Sequence, residues 1–221
     1  MTRKNESESQ EMQPKSSASS LTDGRRVRGA RTRSAAIAEA VQMASIEGLE
    51  GLSIAHLAAC LGTAKSTVHA TFGSKQSLQV AVIQETREIL MELVVLPALA
   101  KKAGYQRLLA LGEGWMSYLE RETFKGGCVL SSASLEMDGR PGAAREAVAA
   151  VMKEWLALLT DNVQEAVAVG QINPRVKPEQ LAFELNAIGM AANWQRQLFD
   201  DVEAFQTGRR GWNNLLNNHR L

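Results

Sequence analysis

The chain has few residues of the kinds that build covalent or metal-stabilised sites. Its two cysteines, Cys60 and Cys128, lie far apart, and its three histidines are scattered. Two cysteines without a CxxC pair exclude a disulfide framework and a zinc ribbon, and they suit a reducing cytosol. The histidines form no ligand set with carboxylates or thiols. We therefore expect no disulfide and no metal site.

Long apolar runs are also lacking. No stretch approaches the roughly 18 apolar residues that a membrane helix needs. Residues 1–20 contain no apolar segment of the kind that secretory signals carry. These absences predict a cytoplasmic protein without a membrane partner.

Sequence signatures of catalysis are missing as well. The chain has no P-loop and no dinucleotide-binding glycine fingerprint. No histidine lies near Cys128 in sequence to suggest a nucleophile pair, and the carboxylates are spread along predicted helix surfaces. We predict that the protein is not an enzyme and uses no cofactor.

Alanine is abundant, and positive charge is concentrated near the N-terminus. The chain has 31 alanines and no alternating strand pattern, which predicts an all-α fold. Residues 1–24 have little to bury, which favours disorder. Five arginines fall between positions 25 and 33. Such a cluster suits phosphate, RNA or an acidic surface, or it is a solvated tail.

Apolar periodicity and capping residues predict a succession of helices. Gly48 stands at the C′ position of the first helix, Ser53 and Ser74 are N-cap residues of the second and fourth, and the fourth ends near Pro97. The predicted helices span 33–47, 54–61, 65–71, 74–96, 105–121, 127–137, 142–170, 178–199 and 201–217.

The second and third helices are predicted to meet at a sharp corner. Ala58 is small enough for close approach, and Gly62 supplies the positive φ of the turn. Leu57, Leu61 and Val68 are expected to point inward and hold the pair together. Cys60 is expected in the core.

The third helix is predicted to present short or basic side chains outward. Such side chains suit an element inserted into a major groove, where Lys65 can reach a guanine or a phosphate. The outward positions are Lys65, Ser66, Thr67, His69 and Ala70.

At this point the sequence resembles the TetR/AcrR family of bacterial transcription regulators. About 50 residues carry the resemblance. The matching positions are Arg31, Ile37, Ala40, Ala44, Gly48, Gly51-Leu52-Ser53-Ile54, Leu57-Ala58, Leu61-Gly62, Lys65-Ser66-Thr67-Val68, Phe72-Gly73-Ser74-Lys75 and Leu78. His69 stands where the family often has a tyrosine, and Ala64 stands where a serine often caps the helix, so that Thr63 is expected to cap instead.

The resemblance implies a three-helix helix-turn-helix DNA-binding head at 29–75 and a helical-bundle body for ligand binding and dimerisation at 76–221. The composition of residues 1–28 predicts a disordered, basic and polar N-terminal tail before the head. The resemblance also implies a homodimer that binds a palindromic operator in double-stranded DNA as a repressor and is released by a small-molecule effector. A DNA-binding activator, and a helical protein–protein adaptor without DNA binding, are the alternatives.

Helix N-termini and nearby cations suit phosphates. On this ground Ser53, Ser74 and Lys75 are predicted DNA contacts, and Arg28 joins them from the basic arm. The predicted contacts on the third helix are Lys65, Ser66, Thr67 and His69. The alternative is that the serines only cap and the cations are solvated.

The helix predicted at 178–199 is apolar on two opposite faces. One face can pack against its own bundle, so the other face must be buried against a partner subunit. The faces are Leu181, Leu185, Ile188 and Ala192 on one side, and Phe183, Ala187, Met190 and Trp194 on the other. We predict a dimer interface at the first face together with Val202 and Phe205. The second face, and a central helix of a monomeric bundle, remain alternatives.

An effector pocket is expected between the body helices, apolar with a few polar groups. The same residues are also ordinary core candidates. They are Trp115, Met116, Leu119, Cys128, Met137, Trp155, Leu159, Asn186, Met190 and Trp194. Gly126-Gly127-Cys128 predicts a tight turn before a helix, and Cys128 is either a small buried residue or a redox-sensing thiol.

Overall fold

A computed structural model describes the backbone of residues 17–221 and the side chains of residues 32–221. The chain divides into a unit that ends at Ala35 and a unit Ala36–Leu221, and the sites below lie in the second unit. The all-α prediction is confirmed, because residues 17–221 form helices and one isolated bridge pair, Ile172 with Arg220, and no strand.

The helices follow one another with short connections. They are α1 (Ser17–Gly51), α2 (Ile54–Cys60), α3 (Lys65–Phe72), α4 (Lys75–Leu90), a π-helical segment (Met91–Val95), α5 (Leu96–Leu99), α6 (Tyr105–Glu120), α7 (Val129–Glu136), α8 (Ala143–Ala168), α9 (Pro178–Phe199) and α10 (Ala204–Asn218).

Two helix boundaries differ from the prediction. Helix α1 begins at Ser17, well before the predicted start, and it is interrupted at Gly48, whose φ is +76°. The regular part of the fourth helix ends at Leu90, earlier than predicted, and the π-helical segment and α5 then continue the helical run to Leu99, so its end near Pro97 is as expected. A proline lacks an N–H and its ring collides with the carbonyl four residues earlier, and a wider turn before Pro97 accommodates both constraints.

Helices α6, α8, α9 and α10 pack around an apolar core in which the aromatic rings need glycine on facing helices. Trp212 of α10 is 1% exposed and donates from Nε1 to the Leu108 carbonyl oxygen at 3.0 Å. A Cβ on Gly112 would overlap the Trp212 ring, and one on Gly189 would overlap the Trp115 ring. These glycines therefore let the rings lie directly against the helix backbone.

Candidate nucleic-acid interface and body cavity

Helices α2 and α3 form the predicted corner. Leu57, Ala58 and Val68 are at most 3% exposed, and Leu61 is partly buried against the same core. Gly62, between the helices, has a φ of +60°, which is a left-handed conformation that favours glycine. The corner is thus held by apolar contacts on its inner side.

The opposite side of α3 is exposed, and we call it the α3 surface. It consists of Lys65, Ser66, Thr67, His69 and Ala70, and α3 contains no acidic residue. Helix α3 begins after Ala64 without a side-chain cap, so the expected capping by Thr63 is wrong. The structure therefore places the predicted groove-facing side chains in solvent, and their contact with DNA stays a prediction.

Both predicted serine caps form. Ser53 Oγ accepts a hydrogen bond from the His56 N–H at 3.0 Å, and Ser74 Oγ accepts one from the Ser77 N–H at 3.1 Å. These bonds satisfy backbone donors at the starts of α2 and α4. Contact of either serine with phosphate stays a prediction.

Lys75 joins the start of α4 to the end of α1. Its Nζ donates to the Glu50 carbonyl oxygen at 2.6 Å and to Glu50 Oε2 at 3.1 Å. Hydrogen bonding by Lys75 and then by Gln79 lowers the pKa of Glu50, and Arg140 at 3.7 Å adds to this attraction. Lys75 therefore has a structural partner that the sequence analysis missed, since the two residues are 25 positions apart.

Two further predictions concern single residues of the head. Arg28 lies outside the residues whose side chains are described. Cys60 is exposed, so its predicted burial is wrong. The short helix α2 buries Ile54, Leu57 and Ala58 on one side, and Cys60 falls on the other.

The last residue of α7 holds the end of α1. Glu136 accepts hydrogen bonds from the backbone N–H groups of Leu49 and Glu50, each at 2.8 Å. A Cβ on Gly48 would lie 2.8 Å from Glu136 Oε2, so a glycine is needed for this close approach as well as for its positive φ. No local signal in the sequence points to Glu136.

The turn before α7 contacts helices on two sides. The Gly126 N–H donates to Ser45 Oγ of α1 at 3.2 Å, and the Cys128 N–H donates to Asn193 Oδ1 of α9 at 3.0 Å. A Cβ on Gly126 would overlap the Ser45 carbonyl oxygen. Helix α7 is therefore attached to α1 at both of its ends.

A small cavity, which we call the inner cavity, lies among α4, α6, α7 and α8 and has a volume of about 20 Å³. It brings together three of the predicted pocket residues, Trp115, Cys128 and Trp155, and none of its lining residues is Asp, Glu, Lys, Arg or His. The lining residues are Leu90, Trp115, Cys128, Leu130, Ser131, Val151, Met152 and Trp155.

A wider groove of about 350 Å³, the outer groove, adjoins the inner cavity. Leu90, Val151 and Trp155 line both. Trp155 Nε1 donates to Asn186 Oδ1 at 3.2 Å, so the predicted pocket residue Asn186 holds the ring that separates the two spaces. Arg87 lines the outer groove and donates to Glu154 at 2.7 Å.

The remaining predicted pocket residues do not line the inner cavity. Met116, Leu119 and Leu159 are buried in the core. Met137 lines a groove that also contains Glu50 and Lys75, and Met190 and Trp194 line another beside Leu135 and Leu198. The structure therefore separates these residues among the core and two grooves.

The predicted dimer face of α9 is corrected by the structure. Leu181, Leu185 and Ala192 are at most 3% exposed, Phe205 is 5% exposed, and Ile188 packs against the same core. These side chains are covered by their own chain and are not accessible to a partner.

The alternative face of α9 is open to solvent. Phe183 is 63% exposed, Trp194 is 52% exposed, and Val202 beyond the helix is 77% exposed. Leu198 and Phe199, each 60% exposed, extend the apolar surface, which we call the α9 outer face.

Comparison with known proteins agrees with the arrangement of the head helices and of the body helices. A family model described as "Tetracyclin repressor-like, C-terminal domain" matches residues 104–212. The chain is 25% identical to a TetR transcriptional regulator from Chloroflexus aurantiacus J-10-FL, with a TM-score of 0.79 over 88% of this chain and 98% of that one. Residues 104–212 therefore form a C-terminal domain of the TetR regulator family, and the structural similarity to a TetR regulator extends over 88% of the chain. This family is generally non-enzymatic.

More distant TetR-family structures share the fold. AibR, in complex with isovaleryl coenzyme A and operator DNA, is 18% identical with a TM-score of 0.68, over 85% of this chain and 97% of that one. The ketosteroid regulator KstR2 of Mycobacterium tuberculosis is 13% identical with a TM-score of 0.63, over 86% and 95% of the two chains. No curated protein matches the chain.

Membrane spanning and metal binding each require a feature that can be read from the described residues. Among them, no helix combines the length and the apolar character that crossing a bilayer requires. The same residues contain no group of three or more His, Cys, Asp or Glu side chains placed to hold a metal ion.

Proposed function

We propose that the protein is a homodimeric repressor that binds a near-palindromic operator in double-stranded DNA and is released when a small molecule binds the body. The observation that carries the proposal is the exposed α3 surface, which the buried α2–α3 corner holds outward. Short polar and basic side chains on such a helix fit the major groove. AibR, a structural relative, was solved with both operator DNA and a coenzyme A ester.

The α9 outer face supports the homodimer. Monomeric proteins rarely expose large contiguous apolar patches, yet Phe183, Trp194 and Leu198 are each more than half exposed on this helix. A partner copy that covers the face with α9 and α10 would place two α3 surfaces on one duplex. Palindrome recognition requires the two heads to lie about 34 Å apart.

Two connections join the walls of the inner cavity and the outer groove to the head. Helix α4 begins beside the head at Lys75 and lines both spaces at Leu90. Helix α7 lines the inner cavity at Ser131 and holds α1 through Glu136. An effector that binds one arrangement of α4 and α7 more tightly shifts the population towards it, and the spacing of the two heads changes with it.

The proposed regulator acts in the cytoplasm, where the chromosome is accessible, and needs neither catalysis nor a cofactor. Its partners are the operator, a second copy of the chain and the effector.

The first test is selection of bound sequences from a random duplex library at near-physiological salt. We expect enrichment of an inverted repeat whose half-site spacing reports the distance between the heads. If folded, dimeric protein enriches no sequence, the DNA-binding proposal fails in favour of the helical adaptor. Overlap of the selected operator with a promoter supports repression, whereas a position upstream of the promoter supports activation.

A further inference from the structure

A groove where α1, α4, α7 and α8 meet contains three cationic side chains, and we call it the junction groove. Its volume is about 250 Å³. Lys75 comes from the first turn of α4, Arg140 from the turn between α7 and α8, and Arg145 from the first turn of α8. Among the described residues that line it, Glu50 is the only acidic one. The junction groove therefore carries a net positive charge, which suits an anionic partner.

The acidic side chains around the junction groove are either hydrogen-bonded or outside its wall. Both carboxylate oxygens of Glu50 accept hydrogen bonds from side chains of α4, at 3.1 and 3.2 Å. Glu136 accepts the N–H groups at the end of α1. Asp138 and Glu146 are exposed and do not line the groove. The two arginines therefore determine the charge that the groove presents to a partner.

The turn between α7 and α8 lies beside the helix starts that are predicted to contact phosphate. Arg140 Nη1 lies 3.7 Å from Glu50 Oε2, the same oxygen to which Lys75 donates at the start of α4. A Cβ on Gly142 would lie 3.0 Å from a side chain in the first turn of α4. Glu50 also lies only three residues before Ser53, the cap of α2. A DNA strand whose phosphates contact the starts of α2 and α4 would therefore run past this turn.

Both arginines can donate to a phosphate. The Arg140 side chain is 58% exposed. Arg145 is exposed, and its Nε donates to the Asp138 carbonyl oxygen at 3.1 Å. This bond holds the guanidinium at the turn through one of its five N–H donors. A guanidinium binds phosphate through paired hydrogen bonds, so the two side chains match the chemistry of a nucleic-acid backbone.

We propose that Arg140 and Arg145 bind backbone phosphates of the operator, so that the body adds DNA contacts beside those of the head. This inference rests on the proposed function, because it requires a duplex that lies against the α3 surface. Contacts with phosphate carry no sequence information. The two arginines therefore add affinity and leave the choice of operator to the α3 surface.

The first test is operator binding over a salt series by full-length wild type, Arg140→Ala, Arg145→Ala and Arg175→Ala. We expect each of the first two variants to bind about three- to tenfold more weakly. The slope of log affinity against log salt should become shallower by about one in each. Arg175→Ala is the matched control, since Arg175 is an exposed arginine beyond the opposite end of α8. It should match wild type in affinity and slope.

A second measurement separates direct contact from an indirect effect through Glu50 and Lys75. Single phosphates of the operator are replaced in turn by uncharged methylphosphonates, and affinities are compared for wild type, Arg140→Ala, Arg145→Ala and Lys75→Ala. Neutralising a phosphate that an arginine contacts should weaken binding of wild type and have little further effect on the variant without that arginine. These phosphates should differ from those that Lys75→Ala identifies.

The third measurement concerns a free anion in the same groove. Thermal melts without DNA compare sodium phosphate with sodium chloride at equal ionic strength, and they also confirm that each variant is folded. We expect no stabilisation by phosphate that depends on either arginine. A stabilisation that is lost in Arg145→Ala, with operator binding unchanged, would assign the groove to a free anion and overturn the inference.

Two further results would overturn it. One is wild-type affinity and salt slope in both arginine variants. The other is coupling of Arg140 to the same phosphates as Lys75, which would make Arg140 a positioning residue for the lysine. If the operator binds and the arginine variants behave as wild type, only this inference is wrong. If selection yields no operator, the proposed function is wrong and this inference with it.

Discussion

The two head lysines predicted to contact DNA have different surroundings. Lys65 is exposed in the first turn of α3. Lys75 donates both to the backbone and to the carboxylate of Glu50. Replacement of Lys65 therefore reports contact with DNA alone, whereas replacement of Lys75 also disturbs the connection between α4 and α1.

Lys65→Ala should weaken operator binding. If Lys65 contacts a phosphate, the slope of log affinity against log salt should become shallower by about one, because one fewer counter-ion is released. Binding is measured over a salt series, with Lys153→Ala as the control, since Lys153 is an exposed lysine on α8. Equal affinity and slope in Lys65→Ala and wild type would remove Lys65 from the contacts.

Lys75→Ala should weaken operator binding and also lower the free energy of unfolding. The second effect should not exceed about 1 kcal/mol, since the ion pair with Glu50 is exposed to solvent. Urea unfolding and DNA titration of the same sample separate the two effects, with Lys65→Ala as the comparison. A stability loss without any change in DNA affinity would leave Lys75 with its structural role only.

At the scale of elements, α7 is short but has more partners than its eight residues suggest. Its leading turn contacts Ser45 of α1 and Asn193 of α9, and its last residue, Glu136, contacts Leu49 and Glu50. The periodicity of the sequence predicted this helix within about two residues. It gave no sign of these partners, because each lies more than 60 positions away.

Gly126→Ala should destabilise the protein by about 1–3 kcal/mol, because the added methyl group overlaps the Ser45 carbonyl oxygen and one of the two backbones must move. Gly139→Ala is the matched control, since nothing lies within 4 Å of a Cβ at that position. The measurement is urea unfolding of both variants. Equal stabilities would show that the turn is not packed against α1 in solution.

Glu136→Gln should loosen the end of α1. The amide retains one acceptor oxygen where the carboxylate has two, and it directs an NH₂ group at a backbone N–H. We expect a loss of about 1–3 kcal/mol, with faster hydrogen exchange at the amides of Leu49 and Glu50. Glu165→Gln changes an exposed carboxylate on α8 and should have little effect. Unchanged exchange at both amides would contradict the contact.

At the scale of the whole molecule, the orientation of α9 decides how two chains can meet. Its Leu181 and Leu185 face lies in the core, and its Phe183 and Trp194 face lies outside. The face proposed for the interface is therefore the one that the sequence analysis kept as an alternative.

Phe183→Glu should shift the protein from dimer to monomer, because it places a charge within the proposed apolar interface. Sedimentation velocity over a range of concentrations measures the shift. Val169→Glu makes the same change at an apolar residue of similar exposure, 52%, that lies beyond the end of α8. A Phe183→Glu protein that remains dimeric would place the interface elsewhere.

Local sequence determined the parts of this protein whose signals span a few residues. Apolar periodicity predicted most of the helices, Ser53 and Ser74 capped the helices as expected, and Gly62 marked the left-handed corner. The spacing of these signals was enough to indicate the family and the outward side of α3. Each depends on backbone conformation within one or two turns, which neighbouring residues set.

Only the tertiary structure decided what depends on the packing of distant helices. Periodicity showed that α9 has two apolar faces, but burial of Leu185 and exposure of Phe183 follow from where α6, α8 and α10 lie. The Lys75–Glu50 pair, the Glu136 contacts and the approach of Arg140 to Glu50 arise in the same way. A side chain's partner across the fold is set by the relative positions of whole elements, and no short stretch of sequence encodes those positions.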